Sequence, residues 1–401
     1  MRTLFSLLLL FVASCATYVP DRDFPTWGNM YRDNVGAGGF QLSELRAAAE
    51  FCLDLNSQDD WNADGHRPDS IYAPHTTGWT KLFDSRGDNT DPLTNGIDPF
   101  SNAWTLWHKN GTSTYIVAIR GTIGKKSSAV EDGISTMIPT HNGIEFPEGH
   151  FPLMRFARIP KSEIHAGFAY GTFVTMFERD RGILPTVQRL VPEGSLLIIT
   201  GHSQGAAMAA LTHSFLHYQM GDSRFGLKPN QYILKSYMFA QPKPGNVLYS
   251  LDFHLIAPDN AWTFNNILDV VPRVPLTAES IQDVDVGMPE TQSGLALWVK
   301  RFNVFASNTT IDLTKKVSAN IADNIQDIRF YRYHELTQNS TTNSYPALSQ
   351  NYAPAGNVVP LLGHLDGAYY PGRQAVDDFV QHHMTTYRYL INEKYAKKIA
   401  Q

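Results

Sequence analysis

The pentapeptide Gly201-His202-Ser203-Gln204-Gly205 is the part of the sequence best suited to covalent chemistry. An apolar run, 195–200, leads into it, and an alanine-rich stretch, 204–218, follows. A strand that turns sharply into a helix lifts the turn serine to the end of a sheet. Glycines on either side let neighbouring backbone pass close. The new helix then points free N–H groups at developing negative charge. A serine hydroxyl is a weak nucleophile at its free pKa, so this chemistry needs a base and an acid that orients the base.

Around such a turn the acid and then the histidine follow the serine along the chain. Asp269 is the expected acid. It closes the strand-like run 262–268 and precedes Val270-Val271-Pro272-Arg273-Val274-Pro275. An acid at a strand's carboxyl end faces the same sheet edge as the serine. Asp283 and Asp285 lie in a polar stretch with no strand before them. Three histidines are candidate bases: His382 first, then its neighbour His383, then His364 in Leu362-Gly363-His364-Leu365. Stabilising the oxyanion takes two donors. Gln204 would supply its backbone N–H. Thr122 would supply N–H and hydroxyl from the turn Arg120-Gly121-Thr122 after the strand Thr114–Ile119. His75, His141, His150 and His165 show no helical metal-ligand spacing, so no metal or organic cofactor is expected.

The elements that must position these groups alternate between strand-like and helix-like. Strands are predicted at Thr114–Ile119, 195–200, 232–240 and 261–268, and helices at 168–179, 204–218 and 377–397. This rhythm predicts an α/β fold with a mostly parallel central sheet and helices on both faces. A further helix over 42–55 is expected to bury Cys52. Two stretches break the rhythm: 123–160, with apolar residues including Phe146 and Phe151, and the polar, loop-rich 277–372.

The 401 residues are 43% hydrophobic and 18% charged, ample for a large core. No low-complexity linker or internal repeat divides them, so one domain over 17–401 is expected. Net charge is −5 with no long basic run, which gives a nucleic-acid partner no electrostatic support. Arg2, the apolar run 4–12 and the small residues Ala13-Ser14-Cys15-Ala16 predict a signal peptide over 1–16, since nine residues are too short to span a bilayer. Val12-Ala13-Ser14-Cys15 also resembles a bacterial lipobox, whose cysteine is lipidated. The chain is therefore expected to be exported, either secreted or anchored through Cys15. Cys15 and Cys52 are the two cysteines, so no disulfide is expected.

Several stretches together resemble the class 3, or fungal-type, lipases. Val117-Ala-Ile-Arg120-Gly-Thr122 is similar to that family's strand and oxyanion loop. Ile164-His165-Ala-Gly167-Phe168 is similar to its structural His-x-Gly-Phe segment. Thr200-Gly-His-Ser-Gln-Gly-Ala206 is similar to its elbow, and Phe239-Ala-Gln-Pro242-Lys-Pro-Gly-Asn246 to its proline turn. Asn266-Ile-Leu-Asp269-Val-Val-Pro-Arg-Val-Pro275 is similar to its acid segment. Gln204 and Ala206 stand where Leu and Gly are common.

The resemblance implies an α/β-hydrolase fold with a family core over 114–276. It implies Ser203 as nucleophile, Asp269 as acid, and Thr122 with Gln204 as oxyanion donors. His382-His-Met-Thr-Thr-Tyr387 fits the family's His-x-x-x-x-Tyr pattern and favours His382 as base, although His364 has the same spacing to Tyr369. Asp269 and His382 lie 113 residues apart, which makes 277–372 an insertion. The implied activity is hydrolysis of lipid or small carboxylic esters at a lipid–water interface, with 123–160 in the place of a lid. A phospholipase or acyltransferase on the same site is the alternative, and a non-catalytic binding module the more distant one.

Overall fold

The computed structural model describes residues 39–56, 74–87, 97, 101–121, 137–140, 154–277, 350–365 and 380–396. The expected signal peptide with Cys15, Thr122, most of 123–160, and Asp283 and Asp285 lie outside the described residues.

Seven described strands form the central sheet: β1 (Trp79–Asp84), β2 (Trp104–Lys109), β3 (Thr114–Ile119), β6 (Leu196–His202), β7 (Ile233–Phe239), β9 (Ala261–Asn266) and β11 (Asn357–Leu361), side by side in that order. The first three pair antiparallel, and β3, β6, β7, β9 and β11 run parallel. β3 and β6 are buried along their length because both sheet faces are covered. Alternation still sorts their side chains. Tyr115, Val117, Ile119, Leu197 and Ile199 join one core, while Ile116, Ala118, Leu196 and Ile198 join the other.

The first core is closed by α2 (Ala166–Phe177), α3 (Ile183–Leu190), α4 (Gln204–Gln219) and α5 (Val247–Ile256). The second is closed by α1 (Leu42–Asn56) and α6 (Met384–Ala396). α4 is buried nearly all round, and Ala206, Ala207, Ala209 and Ala210 let it lie close to the sheet. α1 is fixed to β7 by a buried ion pair, Lys235 Nζ to Glu44 Oε2 at 3.0 Å, with the Tyr237 hydroxyl donating to the same oxygen at 2.8 Å. Cys52 is buried in α1, as its pattern predicted. This is the α/β-hydrolase fold.

A second, smaller sheet of β4 (Met137–Pro139), β5 (Glu163–His165), β8 (Gly245–Asn246) and β10 (Tyr352–Ala353) is antiparallel, in the order β10-β8-β5-β4. The far end of 123–160 is fastened nearby. Asp252 Oδ2 accepts the backbone N–H groups of Arg158 and Ile159 at 2.7 and 2.8 Å.

Three features depart from the sequence expectation. α3 is not among the helices expected from the sequence; Pro185 is its third residue, where a backbone N–H has no intrahelical partner to lose. The predicted closing helix over 377–397 is, within the described residues, a 3₁₀ turn (Val380–His382) followed by α6. The third is a correction to the insertion over 277–372. Its residues Asn357–Leu361 are β11, parallel to β9 in register from Asn357↔Trp262 to Leu361↔Asn266. Among the described strands β11 lies at the sheet's edge, so Pro360 can sit in it without removing a ladder bond.

Candidate active site

Ser203 occupies the turn between β6 and α4 with φ 58° and ψ −134°, a conformation that L side chains rarely adopt. Its surroundings explain the glycines. A Cβ on Gly201 would stand 2.1 Å from the Gly205 carbonyl oxygen, and one on Gly205 would stand 2.3 Å from that of Ile119. The Ser203 N–H donates to Phe239 O at 3.0 Å, tying the turn to the end of β7. Ser203 keeps 8% of its surface exposed.

His382 arrives from the 3₁₀ turn before α6. Its Nε2 lies 2.9 Å from Ser203 Oγ and its Nδ1 lies 2.8 Å from Asp269 Oδ2. Asp269 is buried just beyond β9, and its carboxylate is well supplied with donors. The Val271 N–H donates to Oδ1 at 2.9 Å and the Tyr387 hydroxyl donates to Oδ2 at 2.7 Å. Burial and the neighbouring Asp269 hold the Tyr387 phenol well above its ordinary range, so it stays a donor.

Asn266, the last residue of β9, braces both partners. Its N–H donates to the Tyr387 hydroxyl oxygen at 3.0 Å, and its Nδ2 donates to Gln381 O and Oε1 at 3.0 and 2.8 Å. Gly363 packs against this brace, since a Cβ there would stand 2.4 Å from Asn266 Oδ1.

His202 sits beside Ser203 on the elbow. Its Nε2 lies 2.7 Å from the backbone oxygen of His382, and the two rings are 4.6 Å apart. Burial, then the nearby His382, hold its imidazole well below the usual histidine range. No His/Cys/Asp/Glu group among the described residues could hold a metal ion.

The structure thus brings together Ser203, Asp269 and His382, three residues the sequence singled out. His364 is engaged elsewhere, with Nε2 2.7 Å from Glu393 Oε2. His383 heads α6, where its carbonyl accepts the Tyr387 N–H at 3.2 Å. Gln204 opens α4 directly behind Ser203 and is fully buried. Thr122 lies outside the described residues, but the turn leading to it abuts the elbow. A Cβ on Gly121 would stand 2.6 Å from His202 O. His165 caps α2, accepting the Phe168 N–H at Nδ1 over 3.2 Å, which is the structural part its motif implied. Asn246 likewise caps α5 through the Tyr249 N–H.

Sequence reasoning did not single out Asn266, Gln381 or His202 as supports. The signals were present, in that Asn266 ends the acid's strand and the other two adjoin the candidate base and nucleophile.

Residues 116–279 match the class 3 lipase family. That stretch holds Ser203 and Asp269, and the chain is a carboxylic-ester hydrolase. No curated protein matches the chain. Among solved structures it is similar to a lipase from Rhizopus microsporus var. chinensis at 18% identity, over 60% of this chain and 71% of that one, with a TM-score of 0.38. It is similar to the M37 lipase at 13% identity, over 90% of this chain and 93% of that one, with a TM-score of 0.44. It is also similar to the Lip2 lipase from Yarrowia lipolytica at 13% identity, over 58% and 73% of the two chains, with a TM-score of 0.39.

Proposed function

We propose that this lipase-type hydrolase cleaves carboxylic esters of lipids through a Ser203–His382–Asp269 triad and an acyl-enzyme intermediate. The observation that carries the reading is the unbroken chain of contacts, 2.9 Å from Ser203 Oγ to His382 Nε2 and 2.8 Å from His382 Nδ1 to Asp269 Oδ2.

In this reading His382 takes the Ser203 proton as Oγ attacks the ester carbonyl. Asp269 accepts the Nδ1–H, which leaves Nε2 unprotonated and ready, and then offsets the imidazolium charge. The carboxylate is held in place for this work by the bonds it accepts from the Val271 N–H and the Tyr387 hydroxyl. The oxyanion is held by the Gln204 N–H at the start of α4 and by Thr122. His382 returns its proton to the leaving alcohol. Water then attacks the acyl-enzyme by the same route, releasing the acid and freeing Ser203.

Residues 17–401 would act as one exported domain, secreted after removal of 1–16 or anchored by a lipid on Cys15 after removal of 1–14, and would meet substrate at a lipid–water interface. Labelling with a fluorophosphonate probe tests the nucleophile, with Ser203→Ala and His382→Ala beside the wild type. Hydrolysis of soluble esters of increasing chain length, emulsified triacylglycerol and phospholipid tests the substrate class. Labelling that survives in folded Ser203→Ala refutes the triad. Turnover confined to phospholipid, or acyl transfer to an added alcohol in preference to water, would replace the lipase reading with a phospholipase or acyltransferase.

A further inference from the structure

His202 is a buried histidine next to the nucleophile for which the triad mechanism has no use. Its Nε2 faces a backbone carbonyl, that of His382, at 2.7 Å. A carbonyl can only accept, so Nε2 carries the proton and the neutral ring is fixed in one tautomer. Burial and the nearness of His382 and His383 disfavour a second proton, and the Tyr387 ring packs edge-on 5.8 Å away. The partner is the backbone of the base itself. The same turn that presents Ser203 Oγ to His382 Nε2 therefore also grips the peptide that carries the ring.

We propose that His202 is a positioning residue of the reaction, its Nε2–H holding the His382 carbonyl so that the base's imidazole stays over Ser203. This rests on the triad proposed above. Asn266 grips Gln381 from the acid's side at 3.0 and 2.8 Å, and His202 grips His382 from the nucleophile's side. The 3₁₀ turn is fixed from the two strands whose residues it must join. A reacting pair displaced by about 1 Å can lose on the order of 100-fold in rate, so a tether at this point acts on turnover more than on substrate binding.

The test compares His202→Phe, which keeps a buried ring without the donor, with His202→Gln, whose amide nitrogen can occupy the place of Nε2. On a soluble short-chain ester, His202→Phe should lower kcat by roughly 30- to 100-fold with KM within about 2-fold, the loss a displaced base produces. Fluorophosphonate labelling should slow in parallel. His202→Gln should recover to within about 5-fold of wild type by restoring the bond. If the Phe variant does not fold, His202→Met carries the same comparison. A folded donorless variant within 3-fold of wild-type kcat overturns the proposal, as does a Gln variant no faster than the donorless one. The wild type and Ser203→Ala are run alongside. Failure of the wild type to label, or labelling of Ser203→Ala, would condemn the triad and the tether with it, and is told apart from failure of the tether alone, in which the wild type labels and Ser203→Ala does not.

Discussion

Replacing Asp269 by asparagine keeps the shape of the acid and changes one atom from acceptor to donor, and the structure says where that atom goes. Oδ1 accepts from the Val271 N–H at 2.9 Å, while Oδ2 accepts from Tyr387 at 2.7 Å and faces His382 Nδ1 at 2.8 Å. With the amide nitrogen at Oδ1, two donors face each other and a buried bond goes unmade, at about 1–3 kcal/mol. With it at Oδ2, the Tyr387 oxygen can accept a second bond beside that of the Asn266 N–H, turning its own proton away, and His382 can accept at Nδ1, so no two donors are forced together. The second arrangement is the better one, and it moves the imidazole proton to Nε2. The nitrogen beside Ser203 Oγ is then a donor and cannot act as base.

A preference of about 1–3 kcal/mol puts roughly 5- to 150-fold more of the enzyme in the wrong tautomer. Loss of the carboxylate charge beside the imidazolium adds to this. The total should approach the ~10⁴-fold fall in kcat that the same change produces in a serine protease triad, about 5.5 kcal/mol of barrier. Stopped-flow hydrolysis of a soluble p-nitrophenyl ester gives kcat, and imidazole nitrogen NMR shifts give the tautomer. A folded Asp269→Asn enzyme retaining a tenth of wild-type kcat, or one whose His382 keeps its proton on Nδ1, would refute this account of the acid.

Three other perturbations have definite outcomes. Tyr387→Phe removes a donor from Asp269 and the acceptor of the Asn266 N–H. It should cost about 2–5 kcal/mol of stability and roughly 10-fold in kcat, as urea melts and initial rates would show; unchanged stability would contradict the buried bridge. His202 and His213 both have folded values below the ordinary 6.5, that of His213 about 3. As pH falls through 6.5 the unfolded chain therefore takes up protons first. Their contribution is whole above about pH 6.5 and declines below it, by up to ~1.4 kcal/mol per pH unit for each histidine; urea midpoints that stay flat from pH 7.5 to 5 would count against neutral burial. Lys235→Met leaves Glu44 buried without its cation and should cost about 3–5 kcal/mol, whereas Lys235→Met with Glu44→Leu should recover most of it. A double variant no more stable than the single would show that the pair is not the cause.

Elements that the sequence made plain are those whose signal is local. β3 and β6 read as strands because burial on both faces demands long apolar runs, and β7 and β9 because apolar and aromatic residues still dominate around their few polar ones. Ser203 was legible because the strand, the turn glycines and the alanine-rich helix all lie within two dozen residues. Asp269 was read from chain order and the sheet edge it had to share, and His382 was the first of three candidate histidines, favoured by the family's His-x-x-x-x-Tyr pattern. α3 and β11 were hidden by Pro185 and Pro360, whose tolerance depends on position in a helix and in a sheet, neither of which the sequence displays. The braces were hidden for another reason. Asn266 meets Gln381 across 115 residues and His202 meets His382 across 180, and no spacing rule foretells a side chain's bond to a distant backbone carbonyl.

The separation of 113 positions between acid and base raises the question of why so long an excursion does not loosen the site. Closing a longer loop costs little extra entropy, because the cost grows only with the logarithm of length. What matters is where the chain is caught on its return. β11 catches it, pairing with β9 up to Leu361↔Asn266, and the Ile267 N–H donates to Leu361 O at 3.0 Å. Gly363 then lies against Asn266 and Gln381, and the Gln381 side chain donates to His364 O at 2.8 Å. The strand that delivers Asp269 therefore also fixes the register from which His382 departs.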